Sequence, residues 1–152
     1  MNKKEMIQVL LKADQMLNVY AMGDSMYPVI HQNDELIVGG ADKYGIGDII
    51  VFQYENELLV HRIIKISDTV YYCKGDNAFR LERVKESDVI GKVCKIYRAG
   101  KHIQIKERDS QFVELSFKIY GLYLRNMFNK DIVKETQIYK DYYNKYLREE
   151  CL

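Results

Sequence analysis

Apolar residues along the chain follow three successive rhythms. In the first, Met6, Leu10, Ala13 and Leu17 recur at i, i+4, i+7 and i+11, the spacing of one helix face, which predicts a helix over about residues 2–17. From about residue 19 to 105 the pattern breaks into short apolar runs set off by Gly, Asn and Asp. Runs at 35–38, 48–54, 58–64, 70–73, 89–97 and 102–105 read as strands, with hairpin turns at Glu55-Asn56-Glu57 and Ala99-Gly100-Lys101. From about residue 110 the helical rhythm returns. Phe112, Leu115, Ile119 and Leu122 form one stripe, and after Asn129-Lys130-Asp131 a second holds Ile132, Thr136, Tyr139, Tyr143 and Tyr146. The expected fold is mainly β: a coiled antiparallel sheet or small barrel with an N-terminal helix and a C-terminal tail of two helices. It divides into a β domain with its helix (1–105) and a helical extension packed on or beside it (106–152). The aromatic stripe of the tail reads as core, or as a seam for a second copy or a maturation-complex partner, before it reads as a ligand box.

Composition narrows the classes. With 47% hydrophobic and 30% charged residues, the chain is globular rather than disordered. A net charge of +1 supplies no field to gather nucleic acid, so none is expected as a partner. Cys73, Cys94 and Cys151 are an odd, sparse set without a Cys-x-x-Cys pair, which suits a reducing compartment better than a disulfide framework. In the basic N-terminus, Gln8, Lys12 and Asp14 interrupt the apolar residues, so it reads neither as a signal-peptide core nor as a membrane span. A cytoplasmic protein without an integral membrane anchor is expected.

Three segments carry candidate chemistry. Gly23-Asp24-Ser25-Met26-Tyr27-Pro28 puts a hydroxyl on a tight turn, where backbone N–H groups can converge on one spot; acyl transfer needs that arrangement, although a turn or cap serine needs it too. His61 lies in the strand-like run Leu58-Leu59-Val60-His61-Arg62-Ile63-Ile64. An imidazole titrating near pH 6.5 is a natural base for a serine, though a lone histidine in such a run is commonly structural. Alternation sends Arg62 to the other side, with a surface ion pair as its plain role. Cys73-Lys74-Gly75-Asp76-Asn77 is a strong turn signal followed by Glu82, and either Asp76 or Glu82 is placed to orient a histidine. His31, His61, His102 and Cys73 fit no zinc spacing, so no metal or cofactor is expected. Lys65 and Lys74 are weaker alternatives as base.

In order and spacing these segments resemble the serine peptidases of the signal peptidase I and LexA clan. The likeness lies in GDSMYPVIHQNDELIV (23–38), GDIIVF (47–52), LVHRIIKI (59–66), CKGDNA (73–78) and VIGKV (89–93), and covers about residues 19–105. Bacterial signal peptidases and LexA-like proteins carry lysine where this chain has His61. Endoplasmic-reticulum-type, archaeal and some spore-associated signal peptidases carry histidine in a Val-His-Arg context. The resemblance therefore implies Ser25 as nucleophile and His61 as general base, with Glu82 or Asp76 as a third member. Gly23 stands where signal peptidases usually place a serine that helps bind the oxyanion, so backbone N–H groups around Gly23, Asp24 and Ser25 would form that site, with Met26 beside it in a pocket for a small side chain. Together with the Tyr97-Arg98-Ala99-Gly100-Lys101 hairpin and the helical tail, the likeness extends to small Firmicutes peptidases encoded near peptide-modification genes.

The function implied is a serine endopeptidase that removes a leader or signal-like segment from a peptide or protein precursor through an acyl-enzyme. A catalytically weak or inactive peptide-binding module of the same fold is the alternative. A self-cleaving LexA-type regulator fits less well. Only 24 residues precede Ser25, too few for a helix-turn-helix domain, and the one Ala-Gly step, Ala99-Gly100, follows the serine.

Overall fold

The computed structural model describes residues 1–147; Cys151 and the end of the predicted tail lie outside the described residues. Helix α1 (Lys3–Lys12) opens on a capping box, in which the Asn2 side chain accepts from the Glu5 N–H at 2.8 Å and the Glu5 carboxylate accepts from the Asn2 N–H at 3.0 Å. It stops short of Leu17. Asp14 turns left-handed (φ 61°), and Leu17 instead begins strand β1 (Leu17–Tyr20). The buried face also differs from the predicted stripe: Leu11 is 4% exposed and packs with Ile7, whereas Met6 and Leu10 are 51% and 50% exposed. Apolar residues occur on both sides of this short helix, so spacing alone does not choose between its faces. Two glycines do, one in a strand (Gly91) and one just past a strand end (Gly40). A Cβ on Gly40 would stand 3.2 Å from the Leu11 Cβ, and one on Gly91 would stand 2.9 Å from Leu11 Cδ1, so both positions are small enough to admit Leu11.

The remaining strands are β2 (Glu35–Gly39), β3 (Ile49–Tyr54), β4 (Glu57–Ser67), β5 (Val70–Lys74), β6 (Leu81–Lys85), β7 (Val89–Arg98) and β8 (Lys101–Ile103). They form one antiparallel sheet in the order β1-β2-β7-β3-β4-β5-β6, with β8 also on β7. The sheet is not closed: of the two expected forms it takes the open coiled sheet, not the barrel, with β1 and β6 as its ends. Two long strands produce the coil. β4 pairs with β3 over its first half and with β5 over its second, and β7 lies along β3 before it lies along β8. The hairpin turns Glu55-Asn56 and Ala99-Gly100 have φ of 49° and 68°, and 51° and 78°, the left-handed pairs that tight two-residue hairpins require.

Strand β3 is buried on both faces, which explains its unbroken apolar run. Ile49 and Val51 enter one core with Leu36, Val38, Ile90 and Ile96, while Ile50 and Phe52 enter another with Ile63, Tyr71 and Val84. A third core belongs to the tail. Helix α2 (Ser110–Arg125) is followed by α3 (Lys130–Glu135), α4 (Gln137–Tyr142) and a wide turn over Tyr143–Leu147. The second predicted helix is thus two. Thr136 is extended (ψ 149°) and its hydroxyl accepts from the Tyr139 N–H, which restarts the helix in a new phase. Val133, Tyr142 and Leu147 are therefore the buried residues there, while Ile132 and Tyr143 are exposed. Among the described residues no helix is long and apolar enough to cross a membrane.

The face assigned to α1 is tested by two truncations. Leu11→Ala is expected to cost about 2–5 kcal/mol in urea denaturation, and Leu10→Ala less than about 0.5 kcal/mol. Equal losses would mean that the helix packs differently.

Candidate active site

Ser25 sits in the turn between β1 and β2. The turn is closed at its base, where the Ala21 N–H donates to Asp34 C=O at 2.9 Å and the Asn33 N–H donates to Ala21 C=O at 2.8 Å. Buried Asp34 braces its far side, accepting from the His31 N–H at 2.8 Å and from Arg98 Nε and Nη2 at 2.9 and 2.8 Å. Burial alone would raise the pKa of Asp34. The Arg98 guanidinium and the His31 N–H outweigh it and hold this carboxyl below the ordinary value. Inside the turn Met26 and Ile30 point into the core, Asp24 is exposed, and Gly23 has the left-handed φ of 77°.

His61 comes from β4 and Glu82 from β6, with β5 between them. His61 Nδ1 lies 2.9 Å from Glu82 Oε2, and His61 Nε2 lies 3.1 Å from Ser25 Oγ. A carboxylate can only accept, so Nδ1 holds the proton and donates it to Glu82. The Nε2 lone pair is left facing the serine hydroxyl. The Phe52 ring stands edge-on to the imidazole at 6.1 Å, on the apolar side. Of the two candidate carboxylates, Glu82 is the one in contact with His61. Both oxygens of Asp76 are taken by Arg62, through Nε at 2.9 Å and Nη2 at 2.8 Å.

Arg62 departs from the surface role expected of it. It is 1% exposed, donates also to Gly47 C=O at 2.9 Å, and lies over the Phe112 ring at 5.4 Å. Alternation does turn Arg62 away from His61, but α2 covers that face too, so neither side of β4 meets solvent here. The Arg62–Asp76 pair pins the Gly75-Asp76-Asn77 turn to β4, and the turn in turn holds the serine. The Asn77 N–H donates to Ser25 C=O at 2.8 Å, and Asn77 Nδ2 donates to Asp24 C=O at 3.2 Å. Gly75 makes the approach possible: a Cβ there would lie 2.5 Å from Ser25 O and 3.1 Å from His61 Nε2. Sequence reading treats this tripeptide as a turn with a candidate acid, and misses Gly75 and Asn77 as spacers. Their signal was the small residue and the amide flanking that acid.

Lys74 and Lys65 separate clearly. Lys65 is exposed, over the Tyr72 ring. Lys74 is fully buried, and its ammonium donates to Gly75 C=O at 2.9 Å and to Ser116 Oγ at 3.4 Å. Burial pushes Lys74 down to about 8, against the pull of Asp76 and Glu82. Burial, and after it the Glu82 carboxylate, pushes the Cys73 thiol up, so Cys73 is no nucleophile. His31 stacks on Tyr27 and His102 against Tyr97, and among the described residues no His, Cys, Asp and Glu cluster could hold a metal ion.

A cavity of about 310 Å³ opens beside Ser25 and His61. One wall is the β1 end of the serine turn (residues 19–23) and the other is β4 (Leu58, Leu59, Val60); Met26, Ile30 and Val51 form its floor. Strand β5 pairs with β4 only from Arg62 onward, so among the described residues no strand covers that edge of β4 along this wall.

Fold and matched sequence together place the chain in the class of serine peptidases. The model of the Peptidase S24-like family matches residues 2–94, which include Ser25, His61, Asp76 and Glu82, and the chain belongs to that family, which is LexA- and signal peptidase I-like. No curated protein matches it.

Two outcomes follow from this packing. Gly75→Ala forces the Ser25 backbone away and is expected to destabilise the fold by about 1–3 kcal/mol; an unchanged urea midpoint would show that the serine turn yields freely. For Lys74, the unfolded chain holds a proton that the folded chain has lost between about pH 8 and the ordinary lysine value of 10.5. Wild-type stability should therefore rise relative to Lys74→Met across that window and run parallel to it below. A constant difference from pH 7 to 10.5 would mean that Lys74 titrates normally.

Proposed function

We propose that the protein is a serine endopeptidase that cuts a leader or signal-like segment from a peptide or protein precursor. The observation that carries this reading is the contact chain Ser25 Oγ–His61 Nε2–Glu82 at the mouth of an apolar cleft. Ser25 attacks the scissile carbonyl while His61 takes its proton, and Glu82 keeps Nδ1 protonated and steadies the imidazolium that forms. His61 then gives the proton to the leaving amine, and water, activated by the same imidazole, hydrolyses the acyl-enzyme. Backbone N–H groups of the serine turn, that of Ser25 among them, hold the oxyanion, with Gly23 and Asp24 shaping their approach.

The substrate binds extended between the two walls of the cleft, adding its backbone to the uncovered edge of β4. A cavity floored by Met26, Ile30 and Val51 takes a small apolar side chain before the cut. The test is a cleavage profile over pH 6–9. Wild type and Ser25→Ala are each incubated with a diverse peptide library, and mass spectrometry reads the new termini. Cuts after small residues that vanish in Ser25→Ala are expected. No Ser25-dependent cut from folded protein would leave the non-catalytic peptide-binding module as the better reading.

A further inference from the structure

The matched family segment ends at residue 94, inside β7, yet the turn that holds the serine is also held from beyond it. Tyr142, at the end of α4, is 3% exposed, and its hydroxyl donates to Asp76 C=O at 2.9 Å. Asp76 carries Arg62 on its side chain, and its neighbours Gly75 and Asn77 touch Ser25 and His61. The same helical unit grips this turn on both flanks. Ser116 of α2 receives Lys74, and Phe79, at the end of the turn, stacks on Tyr139 with ring centroids 5.8 Å apart. None of these tail residues lines the cleft beside Ser25.

We infer that the helical extension is a built part of the active site, with Tyr142 a positioning residue that sets the Ser25–His61 distance by holding the Asp76 carbonyl. The inference rests on the peptidase reading above. Among the described residues the Asp76 carbonyl has one side-chain donor, and removing that donor leaves a buried acceptor in the turn on which Ser25 leans. Burial, and after it the Asp76 carboxylate, pushes the Tyr142 hydroxyl well up, so it stays protonated and donates at every pH at which the enzyme would work. A matched control lies one helical turn away. Tyr146 is packed in the same aromatic core, and its buried hydroxyl has no hydrogen-bond partner among the described residues.

The experiment measures the rate at which an alkyl fluorophosphonate labels Ser25 in the full chain. The serine oxygen forms a bond to phosphorus, fluoride leaves, and the hydroxyl proton passes to His61. Wild type, Tyr142→Phe, Tyr146→Phe and Ser25→Ala are compared from pH 5.5 to 9, each with its melting temperature and, on a cleaved peptide, its kcat and KM. Tyr142→Phe is expected to lower labelling and kcat about tenfold or more across the profile, with KM unchanged, because a displaced nucleophile loses rate and not binding. Tyr146→Phe should match wild type. If Tyr142→Phe lowers only the melting temperature, or if both tyrosine variants slow labelling equally, the positioning role is wrong. Wild type unlabelled at Ser25 and making no Ser25-dependent cut would overturn the peptidase reading, and this inference with it.

Discussion

A buried guanidinium has to be paired, and each nitrogen of Arg62 has a partner. Three of its nitrogens bond to Asp76 and the Gly47 carbonyl, and an aromatic ring covers its face. Breaking such a pair from one side typically costs about 3–5 kcal/mol, because the charge left behind has no water to turn to. The rest of the site hangs from this requirement. Asp76 can be where Arg62 needs it only if the turn after β5 folds back across β4. That fold brings Gly75 against the serine carbonyl, starts β6 alongside β5, and delivers Glu82 to the far side of His61. The serine, histidine and glutamate come from three separate stretches of chain, and one ion pair outside their line aligns all three.

Much of this was legible in the residues and some of it was not, for reasons that can be named. The runs at 35–38, 48–54 and 58–64 became β2, β3 and β4 within a few residues, since a strand buried on both faces leaves an unbroken apolar signature. Strand β6 was missed because its inward positions are Glu82 and Val84: a carboxylate where alternation calls for an apolar residue erases the pattern. Strand β1 was hidden by Leu17, which also continued a helical stripe. The choice between Asp76 and Glu82 lay beyond the sequence for a related reason. One acid lies in the turn and the other follows it closely, and what separates them is the partner of Arg62, a residue that reads as a surface charge until α2 is seen to cover it.

The helical tail shows how local chemistry overrides periodicity. Its apolar positions suggested one long second helix, but the Thr136 hydroxyl bonds a backbone N–H that a continuous helix would have bonded itself. The restart rotates Tyr142 inward, toward the turn beside the serine, and leaves Tyr143 outside. A phase shift from a single threonine thus decides which of two adjacent tyrosines reaches the centre of the molecule.

The open sheet has two unlike ends. At one, β6 exposes Arg83 and Lys85, and a second copy approaching that border would meet like charges. At the other, β1 reads Leu17-Asn18-Val19-Tyr20 and carries no charge at all. The β1 border is therefore the end at which no charge opposes an approaching backbone, and its Val19 and Tyr20 belong to one wall of the cleft beside Ser25.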